Sequence, residues 1–190
     1  MRHGETEWNL KQRLQGQLDS PLTSKGIQQI TQLAEWLSVT HADNPIEQIF
    51  SSPLGRAKHS AILLQQCIEQ PIQEATFLKE RSFGIWQGQL FDEIKQDQAF
   101  ADVFFKVTDT PIEKGESAIQ ARKRMEVGLK ALGQQHPNQK LLVVTHGELL
   151  RCFLSGLKNS VDGSAYELFK NGKVFEVSFS PNTDQFKVKF

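Results

Sequence analysis

The sequence predicts an α/β fold: a mostly parallel central sheet with helices on both faces, followed by a C-terminal β-hairpin. Three observations lead there. Short apolar runs alternate with segments of helical period between residues 23 and 157. KLLVV at 140–144 places apolar residues at consecutive positions, the pattern of a strand covered on both sides. Beyond residue 174 the period becomes two: Phe175, Val177 and Phe179, then Phe186, Val188 and Phe190, alternate with polar residues around SPNTDQ.

Each element follows from its own residues. Thr23 is a candidate N-cap for a helix whose Ile27, Ile30, Leu33, Ala34 and Leu37 share a face. A strand from Ile46 to Ser51 ends at Ser-Ser-Pro, and Pro53 suits the first turn of a helix carrying Ala57, Ala61, Leu64 and Ile68. A brief strand is expected over Ile72–Phe77, then a loop over Lys79–Gly88, then one or two short phenylalanine-rich helices within 90–106. GES at 115–117 opens a helix with Ala118, Ala121, Met125, Leu129 and Leu132 on one side, stopping before His136-Pro137. The strand in KLLVVTHG runs into a turn and a short helix, ELLRCFLSGL. With no repeat, linker or low-complexity stretch, residues 1–190 read as a single domain.

Composition narrows the function classes. Twenty-two basic and 22 acidic residues cancel, so no long-range field gathers nucleic acid or an anionic membrane. No run approaches the roughly 20 apolar residues of a membrane span, and no secretory leader precedes the first polar motif, so a cytoplasmic protein is expected. Cys67 and Cys152 lie in apolar helical patterns and read as free thiols. Any anion chemistry must come from a local cluster.

Such a cluster is available. In α/β sheets function gathers beyond the carboxyl ends of the strands. RHG at 2–4, SSPLGRA at 51–57 and THG at 145–147 supply Arg2, His3, Arg56 and His146 there. Two arginines beside two histidines would repel a divalent metal, but guanidinium forks match phosphate oxygens. A neutral imidazole in a cationic pocket can attack phosphorus to give a phosphohistidine. Arginines beside it disfavour the imidazolium. The leaving alkoxide needs a proton, and Glu80 in LKERSFGIWQG is the candidate acid, since a bound phosphate dianion pushes a facing carboxyl toward its protonated form.

In these residues the chain resembles the histidine phosphatase superfamily, also called the phosphoglycerate mutase-like family. Four blocks match in order: RHGETEWN with LQGQLDSPLTSKG, SSPLGRA, LKERSFGIWQG and VVTHG, with GES a fifth and weaker one. The resemblance implies a metal-independent phosphomonoesterase without cofactor, acting on a small phosphorylated metabolite through phospho-His3. Arg2, Arg56 and His146 would form the phosphate pocket and Glu80 would be the proton donor. Asn9 would reach the phosphate, Gln15 and Gly16 would belong to a loop over the substrate, and Gly147 would present a backbone N–H. A homodimer is compatible with the resemblance; a nucleic-acid or membrane partner is not implied.

The residues also admit blander readings. Arg56 could simply pair with a carboxylate, Glu80 could pair with Arg81 or Lys79, and Asn9 and Gln15 could be turn residues. His59, one helical turn beyond Arg56, reads as helix surface, and the phenylalanines of 91–105 as core and lid packing rather than a substrate cage. Within the family, the short 89–114 segment, the terminal hairpin and Gln15 favour phosphatase over phosphoglycerate mutase. A catalytically silent phospholigand-binding member is the third reading. Family members carry an apolar strand ahead of RHG where this sequence has only Met1. The first central strand is therefore expected to be truncated, with about five to eight natural residues lying upstream. If none do, His3 is expected to be loosely held.

Overall fold

A computed structural model describes residues 1–157 and 169–189. Its central sheet has three parallel strands: β1 (Gln48–Ser51), β2 (Ile72–Glu74) and β3 (Leu141–Val144), in the order β2-β1-β3. Register pairs Ile49 with Ile72 and Leu142, and Phe50 with Gln73 and Val143. Strand alternation then sorts the side chains. Ile49, Leu142 and Val144 point to one apolar cluster, while Phe50, Leu141 and Val143 point to another. Helices cover both faces, as the consecutive apolar residues of LLVV predict.

One layer consists of α2 (Ser24–Thr40) and α3 (Gly55–Ile68), packed on each other and on the sheet. Thr23 caps α2 by accepting from the Gly26 N–H at 2.9 Å, and Ile30, Ala34 and Leu37 are buried. Ile27 faces mostly outward at 37% exposure, so the buried stripe is narrower than the sequence pattern. Leu54 is the N-cap of α3, leaving Pro53 one residue ahead of the cap rather than in the first turn. Truncating a buried side chain such as Leu64 would cost about 2–5 kcal/mol.

The other layer consists of α6 (Ala118–Gln135) and α7 (Gly147–Leu154). Ser117 opens α6 with a capping box closed by Gln120. A hairpin, β4 (Glu176–Ser180) with β5 (Gln185–Lys189), lays Val177, Phe186 and Val188 on this layer. Phe190, the last expected hairpin position, lies outside the described residues. The expected strand to Phe77 stops at Glu74, and a 3₁₀ turn over Thr76–Leu78 buries Leu78 instead.

The short helices α1 (Glu7–Leu10), α4 (Phe91–Ile94) and α5 (Phe100–Phe105) belong to a side lobe. Its core is Leu14, Phe83, Trp86, Ile94, Val103, Phe104 and Ile112. Phe104 stacks on Phe83 at 5.4 Å and on Trp86 at 6.1 Å. The phenylalanine run is thus largely packing.

Met1, Arg2 and His3 run beside the end of β3. Met1 N donates to Val143 O at 2.6 Å, Thr145 N to Met1 O at 2.9 Å and His3 N to Thr145 O at 3.0 Å. Arg2 and Thr145 form a parallel bridge. These contacts make a single bridge rather than a strand, and His3 is firmly held. Gly172 N donates to the Arg2 and His3 carbonyls at 3.2 Å, and the Gly4 N–H reaches Ser60 Oγ at 3.1 Å.

Candidate active site

The carboxyl ends of Met1–His3, β1 and β3 meet at one place, and the sequence-predicted residues meet there too. His3 is 2% exposed. Its Nδ1 lies 2.7 Å from the Gly4 carbonyl, which can only accept, so Nδ1 carries the proton. The Nε2 lone pair is left to accept from Arg56 Nε–H at 3.2 Å. Burial first, then Arg56 and Arg2, hold the His3 pKa well below the ordinary histidine range. The arginines act as the sequence suggests, but desolvation is the larger cause.

Arg56 is itself buried at the start of α3. Its Nη2 donates to Gly16 O and its Nη1 to Leu18 O, both at 2.7 Å, and Nη1 also pairs with Asp19 at 3.2 Å. The carboxylate reading was therefore right in part: Asp19 holds the guanidinium from behind while Nε faces His3. Gly16 makes this grip through its backbone at φ +54°, a conformation that favours glycine.

His146 is the N-cap of α7 and fully buried. Its ring centroid is 5.2 Å from that of His3, and its Nε2 lies 2.7 Å from Ser52 Oγ. Among the described residues its Nδ1 is buried without a hydrogen-bond partner. Burial, then Arg56, keep this ring neutral as well. Arg2 Nη1 donates to Phe169 O at 2.6 Å. The Arg2 guanidinium passes close enough to Gly147 that a β-carbon there would lie 3.2 Å from Nε.

Glu80 meets neither Lys79 nor the Arg81 guanidinium. Its Oε1 accepts from the N–H groups of Leu149 at 2.8 Å and Arg81 at 2.9 Å, and its Oε2 from Glu148 N–H at 3.2 Å. It therefore caps the first turn of α7. Burial raises its pKa most; Arg56 opposes, the nearby Glu148 carboxylate reinforces, and the backbone donors oppose. The net direction is upward, toward a protonated acid, before any ligand arrives.

Asn9 and Gln15 stand in front of this set. Asn9 closes the capping box of α1 with Thr6, and its Oδ1 also accepts from Asn171 Nδ2 at 3.2 Å. Gln15 is buried, donating to Thr6 Oγ1 at 2.9 Å and accepting from Ser20 Oγ at 3.3 Å. Gln15 is engaged through both atoms of its amide, and Asn9 through its amide oxygen. His59 is exposed on α3. Cys67 is half-buried and Cys152 buried, and both are free.

Sequence reasoning missed three supports. Ser52 orients His146. Asn171, far along the chain, donates to the His3 carbonyl at 3.1 Å. Glu148 lies between two buried arginines, 3.2 Å from Arg81 Nη1 and 2.6 Å from Arg151 Nη2. The i,i+3 spacing of Glu148 and Arg151 directly after THG was the available signal for this last one.

The model of the histidine phosphatase superfamily (branch 1) matches residues 1–189. The chain belongs to this superfamily. A metal-independent phosphoserine phosphatase from Arabidopsis thaliana is 36% identical over 155 residues, covering 80% of this chain and 64% of that protein. The chain thus spans somewhat under two thirds of that relative. A probable phosphoglycerate mutase from Escherichia fergusonii is 33% identical, covering 82% of this chain and 71% of its own. Among solved structures, Bacillus stearothermophilus YhfR superposes with a TM-score of 0.82 at 27% identity, over 98% of this chain and 92% of that one. Among the described residues no group of three or more His, Cys, Asp or Glu could hold a metal ion, and no helix is long and apolar enough to cross a membrane.

Proposed function

We propose that this histidine phosphatase superfamily member is a phosphomonoesterase that forms a phosphohistidine on His3. The observation that carries the reading is the fixed tautomer: Nδ1–H is bound to Gly4 O, and the Nε2 lone pair points at Arg56. In the first step Nε2 attacks phosphorus, the N–P bond forms and the ester P–O bond breaks. Protonated Glu80 gives its proton to the departing alkoxide. Arg2, Arg56, His146 Nδ1–H and the Gly147 N–H would stabilise the equatorial oxygens of the transferring group. In the second step water attacks phosphorus and gives its proton to Glu80, the P–N bond breaks, and inorganic phosphate leaves with His3 neutral again.

Hydrolysis is favoured over mutase activity by the 36% identity to a relative named as a phosphatase. p-Nitrophenyl phosphate hydrolysis in the presence of EDTA tests the reading. Turnover should fall by at least a thousandfold in His3→Ala, and acid-labile phosphate should be trapped on wild type and absent from the variant. Activity surviving His3→Ala defeats the proposal. Dependence on 2,3-bisphosphoglycerate with interconversion of the monophosphoglycerates would establish the mutase instead.

A further inference from the structure

Ser52 and His146 meet where two strands end. Ser52 directly follows β1, and its backbone N–H donates at 3.0 Å to the carbonyl of Val144, the last residue of β3. Both side chains are fully buried, and Ser52 Oγ lies 2.7 Å from His146 Nε2. That distance alone does not place the proton, because a hydroxyl donates as well as accepts. The surroundings do. A ring held neutral by burial and by Arg56 carries one N–H, at Nδ1 or at Nε2. Ser52 Oγ already accepts from the Leu54 N–H at 3.3 Å. Were Nε2–H to donate to it as well, the Ser52 O–H would have no acceptor among the described residues, and His146 Nδ1 would be a second buried atom without a partner. With the hydroxyl donating to Nε2, Ser52 is satisfied as donor and as acceptor, and only Nδ1–H is left over.

We infer that Ser52 is a positioning residue that fixes the tautomer of His146, so that this ring presents an N–H rather than a lone pair to the transferring phosphoryl group. The two pocket imidazoles then carry the proton on the same nitrogen but offer the phosphate opposite partners. At His3 an acceptor, Gly4 O, takes Nδ1–H and frees the Nε2 lone pair to attack. At His146 a donor takes the Nε2 lone pair and leaves Nδ1–H for an equatorial oxygen. With the proton on Nε2, the Nδ1 lone pair would face that oxygen and repel it. The role in turnover rests on the phosphomonoesterase reading; the position of the proton does not.

Nitrogen-15 NMR of histidine-labelled protein, without ligand and near neutral pH, tests this, the His146 signals being identified by their loss in His146→Gln. Wild type should show a protonated Nδ1 and a lone-pair Nε2. A protonated Nε2 in wild type overturns the inference even if no variant folds. In Ser52→Ala at least part of the His146 signal should move to the Nε2–H form, and kcat for p-nitrophenyl phosphate should fall roughly tenfold. Ser52→Thr, which keeps the hydroxyl, should keep the wild-type tautomer and most of the turnover. A wild-type tautomer persisting in folded Ser52→Ala also overturns the inference, because another group would then hold the proton. Absence of turnover in wild type would count against the phosphomonoesterase reading, and the NMR result would still decide this one.

Discussion

Replacing Glu148 by glutamine removes one negative charge from between two buried arginines while keeping the side chain's shape. Arg81 and Arg151 are 0% and 3% exposed at their side chains, and each would be left with neutral acceptors only: the Glu116 and Val103 carbonyls for one, Val103 and Lys106 for the other. Breaking a buried pair in this way costs about 3–5 kcal/mol. For a chain of this size each kcal/mol moves Tm by about 2–4 °C, so a fall of roughly 10 °C is expected by scanning fluorimetry or calorimetry. A second readout distinguishes positioning from mere destabilisation. The Glu148 carboxylate helps hold the Glu80 pKa up, against Arg56 and the amides of Arg81 and Leu149. In Glu148→Gln the Glu80 pKa should drop, and the basic limb of the kcat profile should move to lower pH. A Tm within 2 °C of wild type would refute the energetic argument. An unmoved basic limb in a folded variant would refute the electrostatic one.

Two further outcomes follow from the same geometry. His3 and His146 stay neutral in the fold although their unfolded forms take up protons below about pH 6.5, so their lowered pKa values give stability that is full above that pH and lost below it. Each contributes a slope of about 1.4 kcal/mol per pH unit, partly offset by Glu80, whose raised pKa favours the fold as it protonates. Urea midpoints at pH 7.5, 6 and 5 should fall, and fall less in His3→Asn; a flat series contradicts this. Gly26 and Gly4 let the RHGE segment lie directly on the first turn of α2, where a β-carbon on Gly26 would overlap Glu5 backbone. Gly26→Ala should cost about 1–3 kcal/mol and lower kcat beyond what unfolding accounts for, measured as phosphatase turnover on the folded fraction.

The sheet and its layers were legible because burial on both faces leaves a consecutive apolar run, as in LLVV, while one-face burial leaves a period, as in α2 and α6. Arg2, His3, Arg56 and His146 were legible because RHG, SSPLGRA and THG lie where extended segments end, and strand ends converge. The support around them was not. Gln15 holds Thr6 and Ser20, contacts that sequence spacing does not reveal. Glu148 at a helix start reads as a dipole-favoured surface residue, and only tertiary packing turns it inward against Arg81. Asn171 reaches His3 across the whole chain. Pro53 shows the ordinary uncertainty of a helix start, since a fixed φ suits the residues just before a cap as well as the first turn.

The first turn of α7 has a consequence for how such a site can be altered. Residue 146 supplies a pocket imidazole, and residues 148 and 149 supply the amides that hold the Glu80 carboxylate. The spacing between the Glu80 carboxylate and the His146 ring is therefore set by peptide geometry within four consecutive residues, not by the agreement of distant loops. Residues 145–149 with the Glu80 loop form a unit that keeps its own register. The cavity walled by Trp8 and Asn9 of α1, Lys25 and Gln29 of α2, Phe91 of α4 and residues 170 and 171 can be redesigned around it without resetting that spacing.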